Sequence, residues 1–146
     1  MDETILVTGE IERTTAFEKG MPNALIERDG SLQRDPVTDD QALVMNLKEK
    51  GLVVISGCSH AGIVNTVRYA KKLTGVGKVH AVLGGFHLSG PFYEKILGET
   101  IDQLKTLSPA VLVPMHCTGR KAMNQFAREF PSSFKLNSVG SRITLS

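Results

Sequence analysis

The chain has 146 residues, 41% hydrophobic and 22% charged, which is enough for a single domain with its own core over residues 1–146. A formal net charge of +2, without a dense run of Lys and Arg, argues against nucleic-acid binding. No segment approaches the roughly 18 apolar residues of a membrane span, and the acidic opening Met1-Asp2-Glu3 lacks the features of a secretory signal. We therefore expect a cytoplasmic protein that binds neither nucleic acid nor membrane.

The first 40 residues begin with a β-like stretch at 4–8 and continue with polar and turn-forming residues of weak periodicity. This composition predicts strands joined by long loops. From Gln41 the chain alternates as far as Leu47, turns at 48–51 and resumes as an apolar run at 52–55. That pattern predicts a β-hairpin.

From residue 52 onward, a short apolar run leads three times through a histidine-containing loop into a helical pattern. The apolar runs lie at 52–56, 79–83 and 110–114, and the loops contain His60, His87 and His116. Helical spacing follows at 63–73, 96–107 and 122–130, and two late β-like runs at 134–136 and 142–145 are expected to finish the sheet. The sequence therefore predicts a layered α/β domain.

The three loop histidines predict one shared site, because open α/β sheets bind ligands at the carboxyl ends of their strands. Neutral imidazole is the commonest transition-metal ligand, and a helix start disfavours its protonated form, which suits His60 and His116. We predict a metal site in which these two imidazoles lie on one side of the sheet, close enough to share an ion. A packing role is the ordinary alternative for each histidine, and His80, inside a strand pattern, is interpreted as structural or surface-facing.

The two cysteines, Cys58 and Cys117, each neighbour a histidine loop and are too few for a disulfide framework. A shared site could bring them near each other. Small buried thiols are common at such positions, so packing is the favoured interpretation. A cysteine-dependent enzyme, with Cys58 as nucleophile and His60 or His116 as base, is a further hypothesis.

Several segments together resemble the metallo-β-lactamase-fold proteins: GCSHAGIVN at 57–65, GGFHL at 84–88 and HCTG at 116–119. VTGEIER at 7–13 and DDQAL at 39–43 extend the resemblance along nearly the whole chain. It is strongest to the branch with the archaeal dihydropterin ribofuranosyl-aminobenzene phosphate synthases of methanopterin biosynthesis. The resemblance implies half of an αββα sandwich, a mixed sheet with helices on one face.

The family's N-terminal half ordinarily carries a His-x-His-x-Asp-His cluster, which this sequence lacks, so the chain resembles the C-terminal half only. By the family pattern, His60 and His116 match the metal ligands of the second half, and His87 is a candidate substitute for a bridging Asp. The resemblance implies a divalent metal, zinc first, with magnesium or manganese as alternatives. It also implies an exposed inner sheet face, which predicts a homo-oligomer or a partner carrying the first half.

If the site is completed, the resemblance implies metal-dependent hydrolysis, or displacement of pyrophosphate, on a small anionic molecule of phosphate-bearing or pterin type. Thr118 and Gly119 at a helix start, with Arg120 after them, could bind a phosphate; an ordinary helix cap with solvated charges is the alternative. A non-catalytic half-domain that docks on itself or a partner is the competing hypothesis for the whole chain.

Overall fold

A computed structural model gives the structure of the chain and describes residues 5–145. Seven strands and three α-helices follow one another in the order β1 (Leu6–Val7), β2 (Leu25–Arg28), β3 (Ser31–Arg34), β4 (Ala42–Leu47), β5 (Gly51–Ser56), α1 (Ile63–Thr74), β6 (Val79–Gly85), α2 (Leu97–Leu107), β7 (Val111–Met115) and α3 (Arg120–Glu129). Short 3-10 turns at Tyr93–Ile96 and His116–Thr118 precede the last two helices.

The main sheet has five strands in the order β1-β4-β5-β6-β7. The predicted hairpin is confirmed: β4 and β5 pair antiparallel, with Leu47 opposite Gly51 across the turn. β5, β6 and β7 then run parallel, because each is connected to the next by a helix. A separate two-stranded hairpin, β2 and β3, lies outside the main sheet.

The core lies between one face of the sheet and the helices. Apolar residues at helical spacing on α1, α2 and α3 bury against alternate residues of the strands, so the mixed α/β fold class is confirmed. α1 ends as expected, at Gly75 in the left-handed conformation. The largest fully buried side chains of this core cluster are Phe86, Phe126, Leu52, Ile63, Leu97, Leu104, Leu112, Val44, Val54, Val64 and Val67.

The opposite face of the sheet carries an apolar row that crosses all five strands. The row, defined by pairing partners, is Val7, Leu43, Ile55, Leu83 and Val113. Its members alternate along the strands with the residues that face the helices, and none belongs to the core cluster. Val7 and Leu43 are 54% and 41% exposed, so this face is incompletely covered at the β1 edge.

Two sequence expectations are wrong. The run at 134–136 contributes a single parallel bridge, from Phe134 to Leu112, and 142–145 forms no strand. Leu136 is 76% exposed, because the chain turns away from the sheet and offers no buried face for alternating residues to cover. The expected strand at 4–8 begins at Thr4, outside the described residues. No helix within 5–145 has the length and apolar character needed to cross a membrane.

Candidate metal centre

Three loops meet at one edge of the main sheet. β5, β6 and β7 are parallel, so their carboxyl ends lie together, and a histidine follows each of them. The loop after β5 contains Cys58 and His60, the loop after β6 contains His87, and the loop after β7 contains His116 and Cys117. This edge is where open α/β sheets bind ligands.

The first ligand set consists of Cys58, His60 and His87, whose potential ligand atoms all lie within 4.8 Å of one another. The two imidazole rings are 4.7 Å apart in an edge-to-face arrangement, and Cys58 Sγ is 3.8 Å from His87 Nδ1. Tyr93 also packs edge-on against the ring of His87, at 4.4 Å between centroids. All three members of the set are half-buried, which leaves them accessible to a small ion.

The second ligand set consists of Cys58, His116 and Cys117, again within 4.8 Å of one another. The two thiols, which are free cysteines, lie 3.0 Å apart between sulfur atoms. Cys117 Sγ is also 3.4 Å from the Cys58 carbonyl oxygen. The shared site thus brings the two cysteines near each other, as expected.

Cys58 belongs to both ligand sets. Within residues 5–145, no set of this kind contains both His60 and His116. The structure instead places His87 beside His60 and gives His116 a cysteine neighbour. An ion shared by His60 and His116, and metal binding by the three histidines, therefore stay predictions.

Backbone strain is concentrated in these loops. Ser59, His87 and His116 have φ angles of 59°, 45° and 52°, in the left-handed region that residues with a side chain rarely adopt. Such outliers cluster at functional sites, where the surrounding structure holds them in place.

Close packing at the end of β6 requires glycine: a Cβ at Gly84 would lie 2.1 Å from the carbonyl oxygen of Ser56.

The environment of His87 favours the neutral ring. Burial lowers the pKa of His87 below its usual value, and the nearby His60 and His116 lower it further, while the carboxylate of Asp40 partly offsets these effects. A neutral imidazole has a free nitrogen lone pair at physiological pH. His87 is therefore prepared to act as a metal ligand.

The environment of Cys58 favours the protonated thiol. Burial, and then the hydrogen bond and charge of the Cys117 thiol, raise the pKa of Cys58 to about 12. A thiol that stays protonated is a poor nucleophile, which counts against the cysteine-enzyme hypothesis. Coordination to a metal, by contrast, deprotonates a thiol outright.

Two buried carboxylates that the sequence analysis missed fix the start of α1. Glu18 is 4% exposed, and its two oxygens accept the backbone N–H groups of Val64 at 2.9 Å and Asn65 at 2.8 Å. Asp40 is 9% exposed and accepts the N–H of Ala61 at 2.8 Å. Glu18 satisfies helix-start donors that would otherwise be orphaned, and Asp40 holds the end of the His60 loop just before the helix.

The residues that the sequence predicts to bind phosphate differ in how accessible they are to a substrate. Thr118 is fully buried; its hydroxyl donates to the Met115 carbonyl at 2.7 Å and accepts the N–H of Phe86 at 3.2 Å. That side chain is used inside the fold, and contact with a substrate would require these bonds to break. Gly119 precedes α3 and Arg120 is exposed at its first position, so their substrate role stays a prediction.

His80 lies away from the centre, near the amino end of β6, and is 9% exposed. Its Nε2 is buried and has no hydrogen-bond partner among residues 5–145. Burial lowers its pKa, and Lys50 and Lys78 lower it further. His80 is thus a buried residue of the sheet and provides a natural control for the three loop histidines.

The ligand sets fit the group that the fold implies. Imidazole nitrogen and cysteine sulfur are the ligands zinc prefers, and three protein ligands with an open position are typical of catalytic zinc sites. The first ligand set supplies two nitrogens and one sulfur from different loops. The residues present are therefore chemically suited to a divalent ion of the zinc class.

Comparison with solved structures defines the class of protein. The chain matches the crystal structure of Tm1679, a metal-dependent hydrolase of the beta-lactamase superfamily, with a TM-score of 0.82 and 29% sequence identity. The match covers 99% of this chain and 54% of that chain. No family model matches. The chain therefore has the fold of about one half of this metallo-β-lactamase-superfamily protein and resembles that superfamily in its motifs.

Comparison with curated proteins finds two similar proteins from one archaeal organism. The chain is 42% identical over 134 residues to 7,8-dihydropterin-6-methyl-4-(beta-D-ribofuranosyl)-aminobenzene-5'-phosphate synthase from Methanocaldococcus jannaschii, covering 90% of this chain and 45% of the relative. It is 38% identical over 128 residues to an uncharacterized protein of the same organism, covering 88% of this chain and 45% of that protein. The chain thus spans about half the length of the curated relatives it matches.

Proposed function

We propose that this chain supplies part of a divalent-metal centre in an enzyme that acts on a phosphate-bearing, pterin-type small molecule. The observation that carries the proposal is the first ligand set, which gathers His60, His87 and Cys58 at the carboxyl edge of the parallel strands. The likeness to the dihydropterin synthase supports the substrate class. The likeness to a metal-dependent hydrolase supports the metal.

The roles of this chain's residues follow from the contacts. His60 and His87 would hold the ion, with His116 on the neighbouring loop as a further ligand, and the edge-on contact of Tyr93 orients the His87 ring. When bound, a divalent ion supplies Lewis acidity toward a phosphoryl or carbonyl oxygen. Arg120, exposed at the start of α3, would contribute positive charge toward an anionic substrate.

We further propose that the missing ligands come from the other half of the fold, on the same polypeptide or on another chain. Relatives of about twice this length and the absent His-x-His-x-Asp-His cluster both support this. The exposed end of the apolar row, at Val7 and Leu43, supports a packing surface for that half, because sheets of this architecture pack face to face; Val113 at the other end is already fully buried. Val7 and Leu43 would then become buried.

The experiment measures binding of a substrate fragment by calorimetry. Zinc-loaded chain is titrated with 4-(β-D-ribofuranosyl)-aminobenzene 5'-phosphate, and with its dephosphorylated analogue as the matched control. Both titrations are repeated after addition of a polypeptide that carries the N-terminal half of the M. jannaschii synthase. We expect zinc-dependent binding of the phosphate ester in the mixture, absent for the analogue and for His60→Ala.

Two results would contradict the proposal. Equal binding of the ester and its analogue would remove the phosphate specificity. Association of the two polypeptides without any zinc-dependent ligand binding would favour the competing hypothesis, a non-catalytic half-domain that docks through its apolar sheet face.

A further inference from the structure

We infer that the sulfur of Cys58 is itself a metal ligand, shared by both ligand sets, so that the centre contains a thiolate in addition to its imidazoles. This inference rests on the proposed function and sharpens it. It selects among the candidate metals, since a thiolate favours zinc, whereas magnesium and manganese prefer oxygen ligands.

The distance between the Cys58 sulfur and the His87 ring fits coordination to one ion. In tetrahedral zinc sites, with Zn–S near 2.3 Å and Zn–N near 2.0–2.1 Å, neighbouring ligand atoms lie about 3.3–3.8 Å apart. Cys58 Sγ is 3.8 Å from His87 Nδ1, within that range. The 3.0 Å between the two sulfurs far exceeds the roughly 2.05 Å of a disulfide, so the thiols are not bonded to each other. It is shorter than the range for two ligands of one ion, so the inference assigns the Cys58 sulfur alone.

Glycine at position 85 makes room for both cysteines. A Cβ there would lie 2.7 Å from Cys117 Sγ and 3.2 Å from Cys58 Cα, closer than packed atoms tolerate. Neither cysteine belongs to the hydrophobic core cluster, and both are only half-buried. The loops therefore bring two sulfurs together at an accessible position without using them for packing.

The chemistry of binding is a simple exchange. The S–H bond of Cys58 breaks, its proton passes to solvent, and a sulfur–metal bond forms, with no change in oxidation state. His60 and His87 would hold the ion together with this sulfur, and Cys58 also belongs to the set with His116 and Cys117. A single residue thus links the two ligand sets.

X-ray absorption spectroscopy on the zinc-loaded, reduced, 146-residue chain tests for a sulfur ligand without a variant. We expect a sulfur shell near 2.3 Å beside nitrogen near 2.0–2.1 Å. Zinc bound through nitrogen and oxygen alone would overturn the inference and leave the proposed function standing. Failure of the wild-type chain to bind zinc both alone and in the mixture with the N-terminal half of the M. jannaschii synthase would overturn both.

Variants provide a second measurement. Loss of an outer-shell partner alone weakens metal affinity about 10–100-fold, so we expect Cys58→Ser to weaken the zinc Kd by at least about 100-fold. His80→Leu, a histidine substitution remote from both ligand sets, should leave the Kd unchanged. Zinc affinity in Cys58→Ser equal to the wild type would contradict the inference. If Cys58→Ser fails to fold by circular dichroism, the sulfur shell of zinc-loaded Cys117→Ser, in which Cys58 is the remaining cysteine, decides.

Discussion

The buried carboxylate of Glu18 makes a sharp test of how the His60 loop is held. Its two oxygens accept two backbone N–H groups at the start of α1, at 2.9 and 2.8 Å, and one of them also accepts the Thr15 hydroxyl at 3.1 Å. In Glu18→Gln the amide keeps one acceptor and turns an NH2 group toward the other N–H. Leaving one buried donor unpaired costs about 1–3 kcal/mol.

An opposing effect reduces this cost. Burial raises the pKa of Glu18, although its hydrogen bonds work against the shift, so the carboxylate carries a desolvation cost that the amide avoids. We expect a net loss of about 1–2 kcal/mol for Glu18→Gln, and about 3–5 kcal/mol for Glu18→Ala, which orphans both donors and leaves a cavity.

Urea unfolding followed by circular dichroism measures these losses, with a constant m value as the check on two-state behaviour. The matched control is Glu12→Gln, which breaks the exposed ion pair to Lys72, a contact of 2.6 Å worth less than about 1 kcal/mol. If Glu18→Gln is no more destabilising than Glu12→Gln, the carboxylate does not fix the helix start and the reasoning is refuted.

Three further predictions use the same assay. Gly84→Ala should cost at least about 2 kcal/mol, because its Cβ would meet the Ser56 carbonyl oxygen at 2.1 Å and its φ is +122°, whereas Gly57→Ala, with open space, should cost far less. Thr118→Val leaves the buried N–H of Phe86 unpaired and should lower the free energy of unfolding by about 1–3 kcal/mol. An unchanged stability would show that the fold does not need the Thr118 hydroxyl, which would then be available to a substrate. Burial lowers the pKa of His80, so the folded state takes up a proton there less readily than the unfolded state does. The free energy of unfolding is therefore undiminished above pH 6.5 and falls as the pH drops from 6.5 through the lowered pKa. His80→Leu should therefore gain stability relative to wild type as pH falls below 6.5, and a pH-independent difference would argue against this.

Local patterning predicted most of the fold. The hairpin and the three strand-loop-helix units emerge from hydrophobic periodicity, because each buries its own apolar face close to where it lies in sequence. The prediction of strands at 134–136 and 142–145 was wrong, because an alternating run becomes a strand only beside a partner strand. Within these two runs, Phe134 alone forms a bridge to the sheet. Leu73, expected on the buried face of α1, is 43% exposed near the helix end.

The candidate site was predictable only in part. The loop histidines could be found because parallel strands bring their carboxyl ends together. Glu18 and Asp40 could not, since their helix-start partners lie 46 and 21 residues away and no local pattern links them. The grouping of His87 with His60, rather than His116 with His60, depends on loop conformations with positive φ that the sequence does not specify.

The central claim is that this chain contributes ligands to a divalent-metal centre. Equilibrium dialysis of the reduced, 146-residue chain against zinc, with metal content measured by mass spectrometry, tests it most directly. We predict at least one zinc bound per wild-type chain, and none in the double variant Cys58→Ser/His60→Ala, which removes two ligands of the first set and the sulfur that it shares with the second set. Equal zinc content in the wild type and a folded double variant would contradict the claim.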